Sequence, residues 1–167
     1  MYDIDYYENL LRIYSKTAED ICRIRWEWLA SVNPKTVLDY GSGVGWFRAY
    51  RPPGVSVHSY DLGPYPQTGV ELQIYDVVCF WDVLEHIPDF SIIEPILRLA
   101  NYVAVTVPIR NGDLTGWKHF KPAEHLHYFT EETLCALFSM YGFELVKKGF
   151  PECPPRKDIG SFLFTRI

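Results

Sequence analysis

The residues with the clearest chemistry form a glycine-rich segment, Asp-Tyr-Gly-Ser-Gly-Val-Gly at 39–45, directly after a short apolar run. Glycines at such a place let the backbone turn tightly and approach a ligand, and the next helix begins with amides that can donate hydrogen bonds. Asp61 lies 20 residues beyond Gly41, at the end of the next apolar run, where a carboxylate can accept both hydroxyls of a ribose. The pattern predicts an adenosine-type cofactor. The alternative is a glycine-rich turn with a solvated aspartate.

Residue 46 argues against a nicotinamide cofactor. In the G-x-G-x-x-G fingerprint the third glycine allows the helix to pack closely on the strand. Here Gly41 and Gly43 are followed by Trp46 at that place, and its side chain is too bulky for such packing. A hydride-transferring oxidoreductase is therefore disfavoured.

Histidines near the ends of two apolar runs are candidates for proton transfer, because a histidine with a near-neutral pKa can take a proton from a hydroxyl or amine. His86 follows the run at 76–81, and the long segment at 109–129 holds His119, His125 and His127 together with Trp117, Phe120 and Tyr128. Loops of that length in compact domains are commonly functional, so this one is predicted to form the acceptor pocket and lid. We predict His86 and His125 as general bases. The alternative for each histidine is a structural role, in which its ring only makes hydrogen bonds that hold the fold.

A metal site is weighed at Asp82, Glu85 and His86, whose spacing would place all three on one face of a helix. Carboxylates with an imidazole suit a divalent cation, but such a group more often caps and braces a turn. The sequence therefore predicts no metal.

The elements that must position these residues alternate between strand and helix without a repeat. Apolar positions at helical spacing predict a helix over 7–30, so that residues 1–33 form a helical segment and residues 34–167 an α/β core within a single domain. Strands are predicted at 36–39, 55–60, 76–81, 102–108, 143–147 and 161–165, with helices at 46–50, from a capping box at Ser91 and Glu94 to 100, and from Thr130 to Gly142. This order predicts a Rossmann-like, doubly wound, mostly parallel sheet, with ligands at the carboxyl ends of its strands.

Four sequence runs together resemble the class I S-adenosylmethionine-dependent methyltransferases, in their small-molecule, ubiquinone-biosynthesis-like branch. Val-Leu-Asp-Tyr-Gly-Ser-Gly-Val-Gly at 37–45 resembles motif I, and Asp-Val-Val-Cys-Phe-Trp-Asp-Val-Leu-Glu-His at 76–86 resembles the fourth-strand motif. His-Leu-His-Tyr-Phe-Thr-Glu-Glu-Thr-Leu at 125–134 and Tyr-Gly-Phe at 141–143 resemble the late helix-and-strand signature. The resemblance covers about 36–146.

The resemblance implies transfer of a methyl group from S-adenosylmethionine to an oxygen or nitrogen of a small-molecule acceptor, with S-adenosylhomocysteine as product. It implies that the glycines contact the methionine and ribose, that Asp61 holds the ribose hydroxyls, and that Leu62 contacts the adenine. Trp81 and Asp82 would border the methionine and the sulfonium. The implied cofactor-binding positions are Asp39, Tyr40, Gly41, Ser42, Gly43, Gly45, Asp61, Leu62, Trp81 and Asp82.

The region between the second and fourth strands of that pattern is short. Only thirteen residues, 63–75, separate the end of the second strand from Asp76, so either the usual helix alone, or the helix together with the third strand, is expected to be missing or vestigial. This shortening keeps an alternative open. The chain would then be a degenerate methyltransferase-like module that binds the cofactor or a protein partner without turnover.

Composition excludes several classes of partner. A net charge of -5 argues against a nucleic acid, and no apolar run approaches the length of a membrane span. The four cysteines have neither zinc-site nor disulfide-framework spacing, and the acidic start does not resemble a signal peptide. We expect a cytoplasmic protein with a small-molecule acceptor and no membrane partner. Nothing in the sequence predicts its oligomeric state.

Overall fold

The computed structural model describes residues 4–64, 67–154 and 156–167. Its helices are α1 (Ile4–Tyr14), α2 (Ala18–Leu29), α3 (Trp46–Ala49), α4 (Glu94–Leu97) and α5 (Glu131–Met140). Its strands are β1 (Thr36–Tyr40), β2 (Ser56–Tyr60), β3 (Tyr75–Trp81), β4 (Ala100–Pro108), β5 (Phe143–Gly149) and β6 (Ile159–Arg166). Residues 1–3 of the acidic start, residues 65–66 of the loop after β2 and residue 155 of the proline-rich loop lie outside the described residues.

The six strands form one sheet in the order β2-β1-β3-β4-β6-β5. β1 pairs in parallel with β2 and β3, and β3 in parallel with β4, whereas β6 runs antiparallel to both β4 and β5. This is the predicted Rossmann-like, mostly parallel sheet. The carboxyl ends of β1, β2 and β3 meet at one edge, as the ligand-binding rule requires.

Both faces of the sheet are covered, which explains the continuous apolar run in β3. Val78 and Phe80 face a core shared with α4 and α5, while Val77 and Cys79 face a second core shared with α2 and α3. All four side chains have no exposed surface. Helices on both faces confirm the doubly wound arrangement.

The helical N-terminal segment differs from the prediction in one respect. The single helix expected over 7–30 is two helices, because residues 15–17 form a turn between α1 and α2. Spacing of apolar positions does not reveal such a break, since both helices keep the same periodicity on either side of it. The break lets α1 reach the strand ends, while α2 packs on the sheet through Cys22, Trp26 and Leu29.

The helix expected at 91–100 is much shorter than predicted. Asp89, not Ser91, caps this region by accepting a hydrogen bond from the Ser91 amide, and it opens a 3₁₀ turn at Phe90–Ile92. α4 then has four residues and β4 begins at Ala100, because residues from Ala100 onward pair with β3. By contrast, α5 begins as predicted, with the Thr130 hydroxyl accepting a hydrogen bond from the Thr133 amide.

The segment between β2 and β3 confirms the predicted shortening. Its described residues, 61–64 and 67–74, form neither a helix nor a strand. β2 is therefore an edge strand of the sheet. In the described parts of the chain, no helix is long and apolar enough to cross a membrane.

Candidate cofactor and active site

A cavity of about 860 Å³ opens at the carboxyl ends of β1, β2 and β3. Every predicted cofactor-binding residue except Gly45 lines it, and so do both predicted general bases, His86 and His125. Volumes of a few hundred to about a thousand Å³ are typical of cofactor and ligand sites. The strand ends therefore bring together residues that are up to 86 positions apart in the chain (39 and 125).

The glycine segment turns sharply at the end of β1. Gly41 and Gly43 have positive φ angles of 82° and 55°, which non-glycine residues rarely adopt. The Gly41 amide donates to the Tyr60 carbonyl over 2.7 Å, which fixes the loop to the end of β2. A Cβ on Gly41 would overlap Val83, whereas a Cβ on Gly43 would meet no atom within 4 Å. The turn is thus packed on one side and open toward the cavity on the other.

Asp61 lies at the end of β2, as predicted, and its carboxylate holds the loops around it. Oδ2 accepts the Gly43 amide over 2.7 Å, and Oδ1 accepts the Gly63 amide, also over 2.7 Å. A third donor was not foreseen from the sequence, because the Tyr7 hydroxyl on α1 donates to Oδ1 over 2.7 Å. A carboxylate accepts about four hydrogen bonds, so these three donors leave room for about one more.

Asp39 is a buried acid without a hydrogen-bond partner for either carboxylate oxygen among the described residues. It is 1% exposed. Burial raises the pKa of Asp39 to about 7, with the Arg25 charge opposing the rise and the Asp61 charge adding to it. An unpartnered buried carboxylate at a cavity wall fits a cationic group of a ligand, such as the ammonium of an amino acid.

Asp82 borders the cavity but is held by two arginines. Asp82 has a φ of 60°, and its carboxylate accepts hydrogen bonds from Arg156 at 2.9 Å and from Arg25 at 2.8 Å. Arg25 also donates to the fully buried Glu152 over 2.8 Å. Burial would raise the pKa of Asp82, but the charges of Arg156 and Arg25 outweigh it and hold that pKa well below its usual range. The sequence did not reveal this ionic cluster, because its members come from α2, the end of β3 and the β5–β6 loop.

The two predicted bases lie side by side on another wall of the cavity, with ring centroids 4.9 Å apart. The Nδ1 of His86 lies 2.8 Å from the Glu124 carbonyl, and the Nδ1 of His125 lies 2.9 Å from the His119 carbonyl. Since a carbonyl only accepts, both Nδ1 atoms carry the proton. Burial lowers the pKa of His125, and the neighbouring His86 lowers it further.

Glu85 adjoins the histidine pair. It is 2% exposed, and its Oε2 has no hydrogen-bond partner among the described residues. Burial raises the pKa of Glu85 to about 8, and the charge of Asp82 contributes to the rise. Its backbone carbonyl accepts the amides of Leu126 at 2.7 Å and His127 at 3.2 Å, so it anchors the loop that carries His125.

The aromatic residues of the loop 109–129 do not line the cavity as expected. Tyr128 contacts Phe120 and Trp117, with ring centroids 5.4 and 6.2 Å away, and these rings pack among themselves. The loop lines the cavity instead with Lys118, His119, Lys121, Glu124 and His125. The wall predicted to be aromatic is therefore polar, because aromatic side chains gain more by packing together behind the loop.

Comparison with known proteins agrees with this geometry. A family model described as a methyltransferase domain matches residues 14–148. No curated protein is significantly similar in sequence to the chain. A candidate O-methyltransferase from Nostoc punctiforme has a similar structure, with a TM-score of 0.71 and 16% identity; the match covers 96% of this chain and 60% of that one.

Two further solved structures are similar over nearly their whole length. Magnesium protoporphyrin IX methyltransferase from Synechocystis, with bound S-adenosylhomocysteine, has a TM-score of 0.68 and 16% identity, with 99% of this chain and 96% of that one covered. An S-adenosylmethionine-dependent methyltransferase from Clostridium acetobutylicum has a TM-score of 0.65 and 10% identity, with 96% and 98% covered. At these identities the similarity shows the fold.

The family match spans most of the chain and includes the glycine segment, Asp61 and both histidines. The unpartnered Asp39 and the open side of the glycine turn fit the amino-acid and ribose parts of the cofactor that this family uses. The chain belongs to the S-adenosylmethionine-dependent methyltransferase family.

Proposed function

We propose that the chain transfers a methyl group from S-adenosylmethionine to an oxygen or nitrogen of a small-molecule acceptor. The observation that carries this proposal is a single cavity with the glycine segment, Asp39 and Asp61 on one side and the His86–His125 pair on another. Donor and acceptor would meet inside that cavity. The negative net charge supports a small molecule over a nucleic acid as the acceptor.

The residues at the strand ends would hold the cofactor, whose sulfonium supplies an already electrophilic methyl group. Asp61 would accept the ribose hydroxyls, and Asp39 would face the ammonium of the methionine part. Tyr40, Gly41, Ser42 and Gly43 would line the cofactor, with Leu62 against the adenine, whereas Gly45 lies outside the cavity. Trp81 and Asp82 would border the sulfonium, and the two arginines around Asp82 keep its carboxylate in place. The protein then mainly has to position the acceptor in line with the methyl group.

His125 is the residue that we propose takes the acceptor's proton, with His86 beside it. Its lowered pKa keeps the imidazole neutral at pH 7, so that Nε2 has a lone pair to accept a proton. The proton on Nδ1 is held by the His119 carbonyl, which fixes the ring orientation. We therefore expect His125→Gln to lower kcat while the affinity for S-adenosylhomocysteine stays within about twofold of wild type.

Cofactor binding is tested by calorimetric titration of S-adenosylmethionine and S-adenosylhomocysteine. We expect Asp61→Ala to weaken binding about 10- to 100-fold, as the loss of charge-assisted hydrogen bonds predicts. Glu144→Ala removes the same charge from an exposed site on β5, far along the sheet from the cavity, and should leave the affinity unchanged. An equal effect of the two changes would contradict the role of Asp61.

Turnover is tested separately with a panel of small hydroxyl, carboxyl and amine acceptors, by measuring S-adenosylhomocysteine release. Turnover that His125→Gln abolishes supports the proposal. Tight cofactor binding without release on any acceptor would instead favour the module that binds without catalysis, for which the shortened segment after β2 gives a reason.

A further inference from the structure

The positive charge of the cavity is concentrated on two loops, 109–129 and the loop between β5 and β6. These loops contribute four basic side chains to the lining: Lys118, Lys121, Arg156 and Lys157. Among the described lining residues, the charged groups of the glycine segment and of the ends of β1 and β2 are acids, Asp39 and Asp61. In a chain with a net charge of -5, the cavity therefore has an acidic side at the strand ends and a basic side on the loops.

Two of these four basic groups already have anionic partners. Arg156 donates to Asp82 over 2.9 Å, and the Lys121 ammonium donates to Glu124 over 3.2 Å. Lys118 and Lys157 differ, because neither ammonium has a hydrogen-bond or ion-pair partner in the described parts of the chain. Both residues are exposed where they line the cavity. Their charges are therefore available to a ligand.

His119 holds these two lysines at the same part of the cavity. It follows Lys118 in the chain, and its Nε2 donates to the Lys157 carbonyl over 3.2 Å. Burial lowers the pKa of His119, and the charges of Lys118 and Arg156 lower it further, against the opposing effects of the Lys157 carbonyl and the Asp158 charge. Asp158 does not line the cavity. The charge that the lysines present to the cavity is therefore not compensated there by Asp158.

The same hydrogen bonds place the two lysines beside the proposed base. The His119 carbonyl accepts the Nδ1 proton of His125 over 2.9 Å, so His119 connects His125 to the backbone of Lys157. An acceptor with its hydroxyl or amine at His125 would therefore extend its other end toward Lys118 and Lys157.

The charge of this wall selects the class of acceptor. Uncompensated positive charge in a cleft attracts anions more strongly than the same charge on an open surface, because the low-dielectric walls focus the field. A neutral molecule gains little from that field, and a cation is repelled. A lysine ammonium acts as a point charge with rotatable donors, which suits both carboxylate and phosphate.

We propose that the acceptor is a small anionic molecule, whose carboxylate or phosphate binds to Lys118 and Lys157 while its hydroxyl or amine faces His125. Its role as an acceptor rests on the proposed methyl transfer, whereas the anion site does not. In the transfer, the acceptor oxygen or nitrogen forms a bond to the methyl carbon, the bond from that carbon to sulfur breaks with its electrons left on sulfur, and His125 takes the acceptor's proton. The lysines only position the acceptor.

The test uses probes that bind without turnover. Benzoate and phenyl phosphate are anionic, and benzamide has nearly the shape of benzoate without its charge. Calorimetry measures the affinity of each probe for the protein alone and for the protein saturated with S-adenosylhomocysteine. We expect at least one anionic probe to bind about 10-fold more tightly than benzamide, as charge-assisted hydrogen bonds predict. This preference should shrink at high salt, and the tighter anionic probe identifies the group that the site prefers.

Variants locate the site. The double variant Lys118→Gln/Lys157→Gln removes both charges and should abolish the preference for the anionic probes, while the affinities for benzamide and S-adenosylhomocysteine stay unchanged. The matched control is Lys16→Gln/Lys35→Gln, which removes the same charge from two exposed lysines that do not line the cavity. The control should keep the full preference. Circular dichroism reports whether both double variants retain the fold.

Any of three results would overturn the proposal. The first is an affinity for both anionic probes no higher than that for benzamide. The second is a preference for anions that the Lys118→Gln/Lys157→Gln variant retains. The third is weaker binding of S-adenosylhomocysteine by that variant, which would mean that the lysines hold the cofactor instead. Anion binding at the lysines without product release on any acceptor would refute methyl transfer while retaining the site.

Discussion

Two buried acids, Asp39 and Glu85, are the residues at which this molecule departs most from an ordinary interior. Each has at least one carboxylate oxygen without a partner among the described residues, and each has a raised pKa. The nearby positive charge of Arg25 does not pair with either acid, since its guanidinium donates to Asp82 and Glu152. Both acids therefore cost stability when they ionise without a ligand.

A stability measurement at two pH values tests this at Asp39. The folded-state pKa of about 7 exceeds the ordinary value of 3.8, so the folded state binds more protons between these values and wild-type stability falls as pH rises from about 4 to 7. Asp39→Asn removes this ionisation. We expect the variant to gain about 4 kcal/mol in unfolding free energy relative to wild type at pH 8, and much less at pH 4, because one unit of pKa shift corresponds to about 1.4 kcal/mol.

Urea denaturation of wild type and Asp39→Asn at both pH values measures the effect. Other titrating groups contribute equally to both proteins and cancel in the difference. A difference between the proteins that is the same at pH 4 and pH 8 would show that ionisation of Asp39 is not what costs stability. Under the proposed function the same variant should bind S-adenosylmethionine more weakly, because the ammonium of the methionine part loses its anionic partner.

At the scale of elements, α1 bears directly on the cofactor site. Tyr7 is 4% exposed, and its hydroxyl donates to Asp61 Oδ1, an atom of the carboxylate that we propose holds the ribose hydroxyls. Under that proposal, the cofactor would compete with the Tyr7 hydroxyl for Oδ1. We expect Tyr7→Phe to raise the affinity for S-adenosylhomocysteine about 2- to 10-fold, which corresponds to one hydrogen bond of about 0.5–1.5 kcal/mol.

Calorimetric titration of Tyr7→Phe and wild type under the same conditions measures this change. Tyr60→Phe is a useful comparison, because Tyr60 also lines the cavity and its backbone carbonyl, which receives the Gly41 amide, is retained. Weaker binding by Tyr7→Phe would mean that the hydroxyl helps to hold the cofactor.

The cap of α5 gives a prediction that concerns stability alone. Thr130→Ala removes the oxygen that accepts the Thr133 amide and should lower the unfolding free energy by about 0.5–2 kcal/mol. Thr130→Ser keeps a hydroxyl and should therefore retain most of the stability that the cap contributes. Since α5 does not line the cavity, cofactor affinity should be the same in both variants, and thermal denaturation with and without ligand checks both statements.

The starts of helices and strands could be predicted where the residues at that point determine them. The predictions were wrong where contacts with distant parts of the chain determine them. Thr130 and the uninterrupted apolar run at 76–81 carry their own evidence, so α5 and β3 begin within a residue of the prediction. Ser91 and Glu94 also matched a capping box, but the N-cap in the structure is Asp89. The chain from Ala100 onward forms β4, because it pairs with β3. The break at 15–17 leaves no trace in the spacing of apolar residues.

At the scale of the whole molecule, the ionic cluster of Arg25, Asp82, Glu152 and Arg156 connects α2, the end of β3 and the β5–β6 loop. Its members are up to 131 positions apart (25 and 156). No motif reveals it, because each residue alone looks like an ordinary surface charge. The glycine segment and Asp61 were predictable since each follows its own strand, and the sheet order then brings them together.

Removing one member of this cluster should be costly. Glu152 is fully buried, and Glu152→Gln leaves two arginines with one carboxylate between them. We expect a loss of about 3 kcal/mol or more in unfolding free energy, with little dependence on salt. Glu94→Gln breaks the solvent-exposed pair with Arg98 and should cost less than about 1 kcal/mol. Urea denaturation at low and high salt compares them, and equal losses would contradict a structural role for the cluster.

The anchoring of the loop at 109–129 by the Glu85 carbonyl has a consequence for how that loop moves. The Leu126 and His127 amides donate to an atom on the turn after β3, so their protons reach solvent only when the loop separates from that turn. In hydrogen–deuterium exchange they should therefore be protected far longer than the exposed amides at 111–113 of the same loop. The wall that carries His125 would open together with the end of the sheet, and the access of an acceptor to the cavity would be governed by the part of the loop before residue 125.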